Sequence, residues 1–316
     1  MVRTFIKENT VIPFMKIKGI VEILCVLLVV GSIVSMCVKG LNWGLDFTGG
    51  IVVETEYTEG VDLNKVKEAY AKEGINGTTQ HFGSQRNVVV RVAPKDGIDQ
   101  QTVTNKVFAA SKTIDPEVKL ARNEYVGPAV GEELVESGIL AIVVSLIAIL
   151  AYIAFRFEWR MATGAVISLA YDVIVVMGTF SVLQIEYDLT VLAAVLTVVG
   201  YSLNDKIVVF DRIRENAVKL PRNTEMPRLF DISLTQTLSR TIITSGTTLI
   251  TVVSLMIFGG EMIYGFSLAL FVGIVFGTIS SIYVASTWAL ILGIKRENLI
   301  PVKVEKKETD GYETMD

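Results

Sequence analysis

A chain of 316 residues that is 51% hydrophobic, with a mean hydropathy of +0.51, is too apolar for an ordinary soluble domain and predicts several membrane spans. Its net charge of −4 supplies no basic field, so nucleic acid is not an expected partner. No GxxxxGK[ST], CxxC or HExxH occurs, and His81 stands alone, so neither ATP hydrolysis, nor a metal or other cofactor, nor enzyme chemistry is expected.

Residues 1–18 are polar and basic, with Arg3, Lys7, Lys16 and Lys18. The apolar run 19–38 is long for a signal segment and no small-x-small cleavage site follows, which predicts a retained first span. Glu22, near its start, is placed to snorkel to the interface. Cys25 and Cys37 fall in this run, about 18 Å apart at a rise of 1.5 Å per residue. That separation excludes a disulfide between them.

Residues 40–131 form one long polar region. Asp46–Tyr57 ends in a β-branched run, and Asp62–Glu73 has helical apolar spacing at Leu63, Val66, Ala69 and Tyr70, with Asp62 as N-cap and Gly74 as stop. Thr78–Phe82 and Asn87–Ala93 predict a hairpin turning at Gly83-Ser84. Asp99–Thr113 predicts a second helix and Glu117–Tyr125 a last strand. The order βαββαβ is that of a ferredoxin-like α+β domain. An acidic collar follows, Glu132, Glu133 and Glu136. Five further spans are expected within 137–292, near 137–155, 161–183, 189–214, 239–258 and 262–292, before a charged tail at 293–316.

Lys and Arg set the orientation. The N-terminal segment, Arg156–Arg160, Asp211–Thr237 and the tail are basic, whereas Gln184–Asp188 and Gly259–Glu261 carry neither residue. Both termini are therefore expected in the cytoplasm and the 40–131 domain outside it.

The fourth apolar run holds Asn204, Asp205 and Lys206. A carboxylate at such depth costs roughly 2.5–3.5 kcal/mol on insertion scales. Burial and a neighbouring cation act on it in opposite senses, the setting in which a side chain takes up and releases a proton. Tyr201 and Ser202 precede Asp205 by four and three residues and are expected on its face, giving a polar group of Tyr201, Ser202, Asn204 and Lys206 around it. Arg240 enters the fifth span and can approach Asp205 if the two helices pack together; the other reading is a structural ion pair. Asp172, in the middle of the third span, reads either as a further relay carboxyl or as the ion-pair partner of Lys206. Ala269, Gly273, Gly277, Ser281 and Ala285 recur every four residues, which predicts a helix-packing seam. The hydroxyls of Thr244, Ser245, Thr247, Thr248 and Thr251 read as packing groups, with hydration of a proton path as the alternative.

Several motifs together resemble the SecD/SecF family, in its smaller, SecF-type half. They are Leu45-Asp46-Phe47-Thr48-Gly49-Gly50, Val126-Gly127-Pro128, Tyr171-Asp172-Val173, Gly200-Tyr201-Ser202-Leu203-Asn204-Asp205, Val209 to Asn216 (VFDRIREN) and Leu238-Ser239-Arg240-Thr241. The resemblance spans about residues 15–295. It implies an RND-type bundle, half of which is this chain, the other half being SecD. It implies a place in the bacterial inner membrane, among membrane lipids and beside the SecYEG channel, where the proton motive force helps a translocating preprotein across. It matches Asp205 and Arg240 to the family's proton relay, with an aspartate of SecD as their partner. Lys206 stands where the family's pattern leads one to expect a small polar residue. The competing expectation is a self-associating RND-like exporter of lipids or small molecules.

Overall fold

The structure, a computed structural model, describes residues 10–93 and 100–300. Arg3 and Lys7, Asp99 at the predicted start of a helix, the side chain of Glu132 and the charged tail after Ile300 lie outside the described residues. Among the described residues six apolar helical segments are long enough to cross a membrane. They are α1 (Lys18–Lys39), α5 (Pro128–Arg156), α6 (Trp159–Leu183), α7 (Leu189–Lys219), α8 (Met226–Phe258), and α9 (Glu261–Ile282) continuing through Tyr283 into α10 (Val284–Ile291). The hydrogen bond Thr287 N to Tyr283 O carries the helical ladder across that junction.

The helices divide into an inner and an outer set. α6, α7 and α9 supply most of the apolar core, with Val175, Val176, Val191, Val195, Val198, Ala269 and Ile274 in one continuous cluster. α1, α5 and α8 leave large apolar side chains uncovered, including Leu27, Ile147 and Ile250. Such a surface suits lipid or another apolar helix, since hydrocarbon replaces water there.

The polar stretch between the fourth and fifth spans is mostly helical. α7 runs on to Lys219 and α8 begins at Met226, leaving a short connection. Arg212 and Lys219 both pair with Glu215 along one face, the i,i+3 and i,i+4 spacing that supports a helix leaving the membrane. Arg156 grips Asp211 with two bonds of 2.6 and 2.8 Å. After α10, a short helix α11 (Arg296–Leu299) places Arg296 on the C-terminal carbonyls of α7, at 2.7 Å from Ala217 O. Cations at that terminus satisfy orphan carbonyls and oppose the helix dipole.

Between α1 and α5 sits the sheet domain. Its elements are β2 (Gly50–Glu56), α3 (Leu63–Lys72), β3 (Thr78–Phe82), β4 (Ser84–Val92), α4 (Gln100–Lys112) and β5 (Lys119–Val126). The antiparallel order β3-β4-β2-β5 is the ferredoxin-like arrangement that the element order predicts. Val53, Val88 and Val90 on the inner face bury against Val66, Tyr70, Val103 and Val107 of the two helices. Asp62 caps α3 by accepting from Asn64 N, and Gly74 follows its end at φ +72, a conformation glycine adopts without strain. The stretch before β2 is not extended from Asp46 onward. Leu45–Thr48 forms a helical turn, α2, closed by Gly49 at φ +63.

Strand pairing and side-chain bonds tie this domain to the bundle. β1 (Asn42–Trp43) pairs in parallel with β6 (Glu186–Tyr187) in the turn between α6 and α7. Asp46 Oδ2 accepts from Leu189 N at 3.0 Å, so a residue of the domain's entry helps to cap the helix that carries Asp205.

Candidate functional site

α7 crosses the centre of the bundle, and its polar residues divide by helical spacing into two stripes. Ser202 and Lys206 are four apart and face α6. Ser202 Oγ donates to Asp172 Oδ2 at 2.5 Å, and Lys206 Nζ donates to the same oxygen at 2.9 Å and also bonds Ser202. Asp172 and Lys206 are fully buried. Gly277 of α9 lies over this group, since a Cβ there would stand 3.1 Å from Ser202 Oγ and 3.8 Å from Asp172 Oδ2. Of its two readings, Asp172 thus takes the pairing geometry with Lys206.

Tyr201 and Asp205, also four apart, face α8. Tyr201 Oη donates to Thr248 Oγ1 at 3.3 Å. Asp205 is only 4% exposed, yet no hydrogen bond or ion pair reaches its carboxylate among the described residues. Lys206 and Arg240 act on it by charge alone. Ser202, expected on the face of Asp205, belongs to the other stripe.

Arg240 is exposed on α8, and Asn204 is exposed on α7. The guanidinium has no partner among the described residues. Arg240 therefore stands near Asp205 without bonding it. A cation and an amide at membrane depth are left on the bundle's outer surface, beside the uncovered apolar residues Ile242 and Ile250 of α8.

The small-residue stripe of α9 meets α7. A Cβ on Gly273 would fall 2.5 Å from Val198 Cγ1, and Ala269, Ser281 and Ala285 are buried. Ser245 and Thr278 share a bond of 3.0 Å between α8 and α9, whereas Thr244, Thr247 and Thr251 turn back onto carbonyls of their own helix. His81 is an exposed strand residue of β3.

Three polar arrangements escaped the sequence reading. Glu22 does not snorkel: its Oε2 is buried without a hydrogen-bond partner among the described residues, and its carboxyl lies against Trp288. Arg91 of β4 pairs with Glu186 and bonds Asn42 Oδ1 at 3.0 Å. Asp46 reaches the N-terminus of α7. Only Glu22 carried a sequence signal, a carboxylate inside an apolar run; the other two join residues 49 to 143 positions apart in sequence.

Among the described residues, six apolar helices enclosing charged groups, with one folded domain inserted after the first, define a polytopic membrane protein. Comparisons give the family. The model described as "Protein export membrane protein SecD/SecF, C-terminal" matches residues 106–295, and the SecD/SecF GG motif matches residues 34–61. The chain is 51% identical to the protein translocase subunit SecF of Vibrio alginolyticus over 96% of each chain. It is 46% identical to that of Escherichia coli O157:H7, over 90% of this chain and 88% of the other. The crystal structure of SecDF, a translocon-associated membrane protein from Thermus thermophilus, superposes with a TM-score of 0.80 at 35% identity. The match covers 90% of this chain and 39% of that one; the chain thus spans about two-fifths of the solved SecDF chain. The chain belongs to the SecD/SecF family, as a protein translocase subunit of the SecF type.

Proposed function

We propose that this chain is the SecF half of a SecD–SecF pair that draws on the proton motive force to promote passage of preproteins through SecYEG. Asp205 is the proton-exchanging carboxyl and Arg240 the cation that attends it. One observation carries the reading: Asp205 is buried in mid-bundle and yet unbonded, while its nearest arginine lies on an uncovered face. A carboxyl bonded at every oxygen would be structural. An unbonded one beside an open polar face is poised for a partner helix and for a proton. SecD, with a carboxyl of its own, fits that face. The transmembrane potential supplies about 2.3 kcal/mol per charge per 100 mV.

The same reading puts both termini in the cytoplasm of a bacterial inner membrane. Lys16, Lys18, Arg156, Arg160, Arg212 and Arg214 gather at one end of the bundle, as the positive-inside rule requires. The ferredoxin-like domain, in 40–131, then lies outside the cytoplasm, where an emerging chain could meet it, and the helices of 137–292 form the membrane part. Asp172 acts with Lys206 as a buried pair alongside the relay.

The test is export of a secreted reporter in cells depleted of the native protein and complemented with wild type or Asp205→Asn, with membrane levels measured. Normal accumulation of the variant with stalled export supports the proposal. Normal export with Asp205→Asn would overturn it.

A further inference from the structure

Among the described residues, six buried polar side-chain atoms on three helices have no hydrogen bond to a nitrogen or oxygen. They are Oε2 of Glu22 on α1, Oγ of Ser168, Oη of Tyr171 and Oδ1 of Asp172 on α6, and Oγ of Ser286 and Oγ1 of Thr287 on α10. α6 packs on both α1 and α10, and α1 touches α10. Ser168 is three residues from Tyr171 and four from Asp172, so the α6 groups share one stripe. Cys25 lies beside Tyr171, and the charges of Glu22 and Asp172 both act on that pair. The groups of α1 and α6 are thus neighbours along one junction, and Ser286 and Thr287 lie on the helix that packs against it.

Buried polar groups in native interiors are met by protein or by ordered water. A water needs two to four polar partners in a polar site, and this junction offers the carboxyls of Glu22 and Asp172 with the hydroxyls of Ser168 and Tyr171. The seam is also bounded. Towards the sheet-domain end, α1 and α6 close on each other, since a side chain on Gly178 would collide with Ser32. Towards the other end, a Cβ on Gly164 would fall 2.5 Å from Ala285 O, so α6 and α10 close as well. Glu22, half-buried and one turn inside the Lys18 end of α1, is the titratable group of the seam nearest that end.

We propose that water fills this seam between α1, α6 and α10 and conducts protons between Glu22 and the Asp172–Lys206 pair, next in the chain to Asp205. A proton released at the pair passes to a water and along the file to the Glu22 carboxylate. Glu22 returns it to the aqueous phase beside Lys18, and no electrons move. The titratable groups facing the seam are Glu22 and Cys25 of α1, Tyr171 and Asp172 of α6, and Lys206 of α7. The inference rests on reading Asp205 as the proton-exchanging group.

Hydroxyl-radical footprinting of the full-length protein in native membranes tests the water directly. Tyr171 should oxidise severalfold faster, after correction for intrinsic reactivity, than Phe180, which is also buried but lies outside the seam. Reactivity no greater than that of Phe180 would overturn the proposal. Proton uptake into inverted membrane vesicles then tests the route. Glu22→Gln and Ser168→Val should slow uptake severalfold at normal membrane levels, and Glu22→Asp should restore it. Unchanged uptake in Glu22→Gln and Ser168→Val, with uptake lost in Asp205→Asn, defeats the seam as the route and leaves the Asp205 reading standing. Unchanged uptake in Asp205→Asn defeats the reading beneath it.

Discussion

Lys206 donates to Asp172 across 2.9 Å, and neither side chain has any exposure. Each removes the other's reason to be unstable. A lone lysine or a lone aspartate at this depth would be an uncompensated charge in a low-dielectric interior. Together, with Ser202 bonding both, they fix α6 against α7. This pair explains how a cation can sit next to Asp205 in sequence without binding it: the ammonium points to the other side of the helix.

Breaking the pair at one end should therefore be worse than removing both ends. Asp172→Asn leaves Lys206 buried without a counter-charge, a change that costs roughly 3–5 kcal/mol in comparable buried pairs. The thermal unfolding midpoint of the purified chain in detergent should drop sharply. Asp172→Asn combined with Lys206→Met should recover most of the loss. A double variant no more stable than Asp172→Asn would show that the pair is not coupled.

The stripe of small residues makes a contrasting prediction at two glycines. Gly273→Ala puts a methyl group into Val198 where α9 packs on α7, and overpacking of this kind costs about 1–3 kcal/mol. Gly246→Ala on α8 meets nothing within 4 Å and should be neutral or gain up to about 1 kcal/mol from helix propensity. Thermal midpoints of the two variants should move in opposite directions, or at least differ in that order. Trimming the neighbour, with Val198→Ala in the Gly273→Ala background, should relieve the strain.

These particulars show what the sequence could and could not reveal. Spans, the βαββαβ order and the intramembrane charges are local signals: an apolar run, a period, a polar residue where none belongs. Even the pairing of Asp172 with Lys206 was visible as one of two options, because a short loop joins their helices. The division of α7 into two polar stripes was not visible. Ser202 and Tyr201 are adjacent in sequence, and only the positions of α6 and α8 decide which one accompanies Asp205. Glu22 misled for a related reason. A carboxylate one turn inside a span has two ways to escape hydrocarbon, outward to the interface or inward to a polar neighbour. The choice depends on Trp288, more than 260 residues away. The helical turn at Leu45–Thr48 was hidden because its stabilising contacts, with α5 and with Leu189, are also remote.

Arg240 leads to a prediction about assembly. Its guanidinium bonds nothing among the described residues and lies exposed. Arg240→Ala should thus leave the thermal midpoint of the isolated chain nearly unchanged, within the roughly 0.5 kcal/mol typical of surface substitutions. Its effect should appear when the partner half is present, as weaker co-purification with SecD or as lost proton-driven export. A large loss of stability in the isolated chain would mean that Arg240 has an internal role that its exposure contradicts.

The junction of domain and bundle carries a pH dependence whose sign can be worked out. Glu186 sits in the turn between α6 and α7, paired with Arg91 of β4. Burial holds its carboxyl above the ordinary range; Arg91 pulls it down and Asp188 pushes it up. The folded chain therefore keeps a proton on Glu186 to a higher pH than the unfolded chain, whose carboxyl titrates near 4.3. More protons bound in the folded state means that stability falls as pH rises from about that value through the raised folded one, and returns as pH falls. Ionised Glu186 also holds Arg91, so the same protonation that favours the fold as a whole removes the charge joining sheet domain to bundle. Glu186→Gln deletes the titration. Thermal midpoints of wild type and Glu186→Gln, measured from acidic to neutral pH, should differ by an amount that shifts against wild type as pH rises through this window. A difference that stays flat, or that shifts in favour of wild type with rising pH, would show that Arg91 and not burial governs the carboxyl.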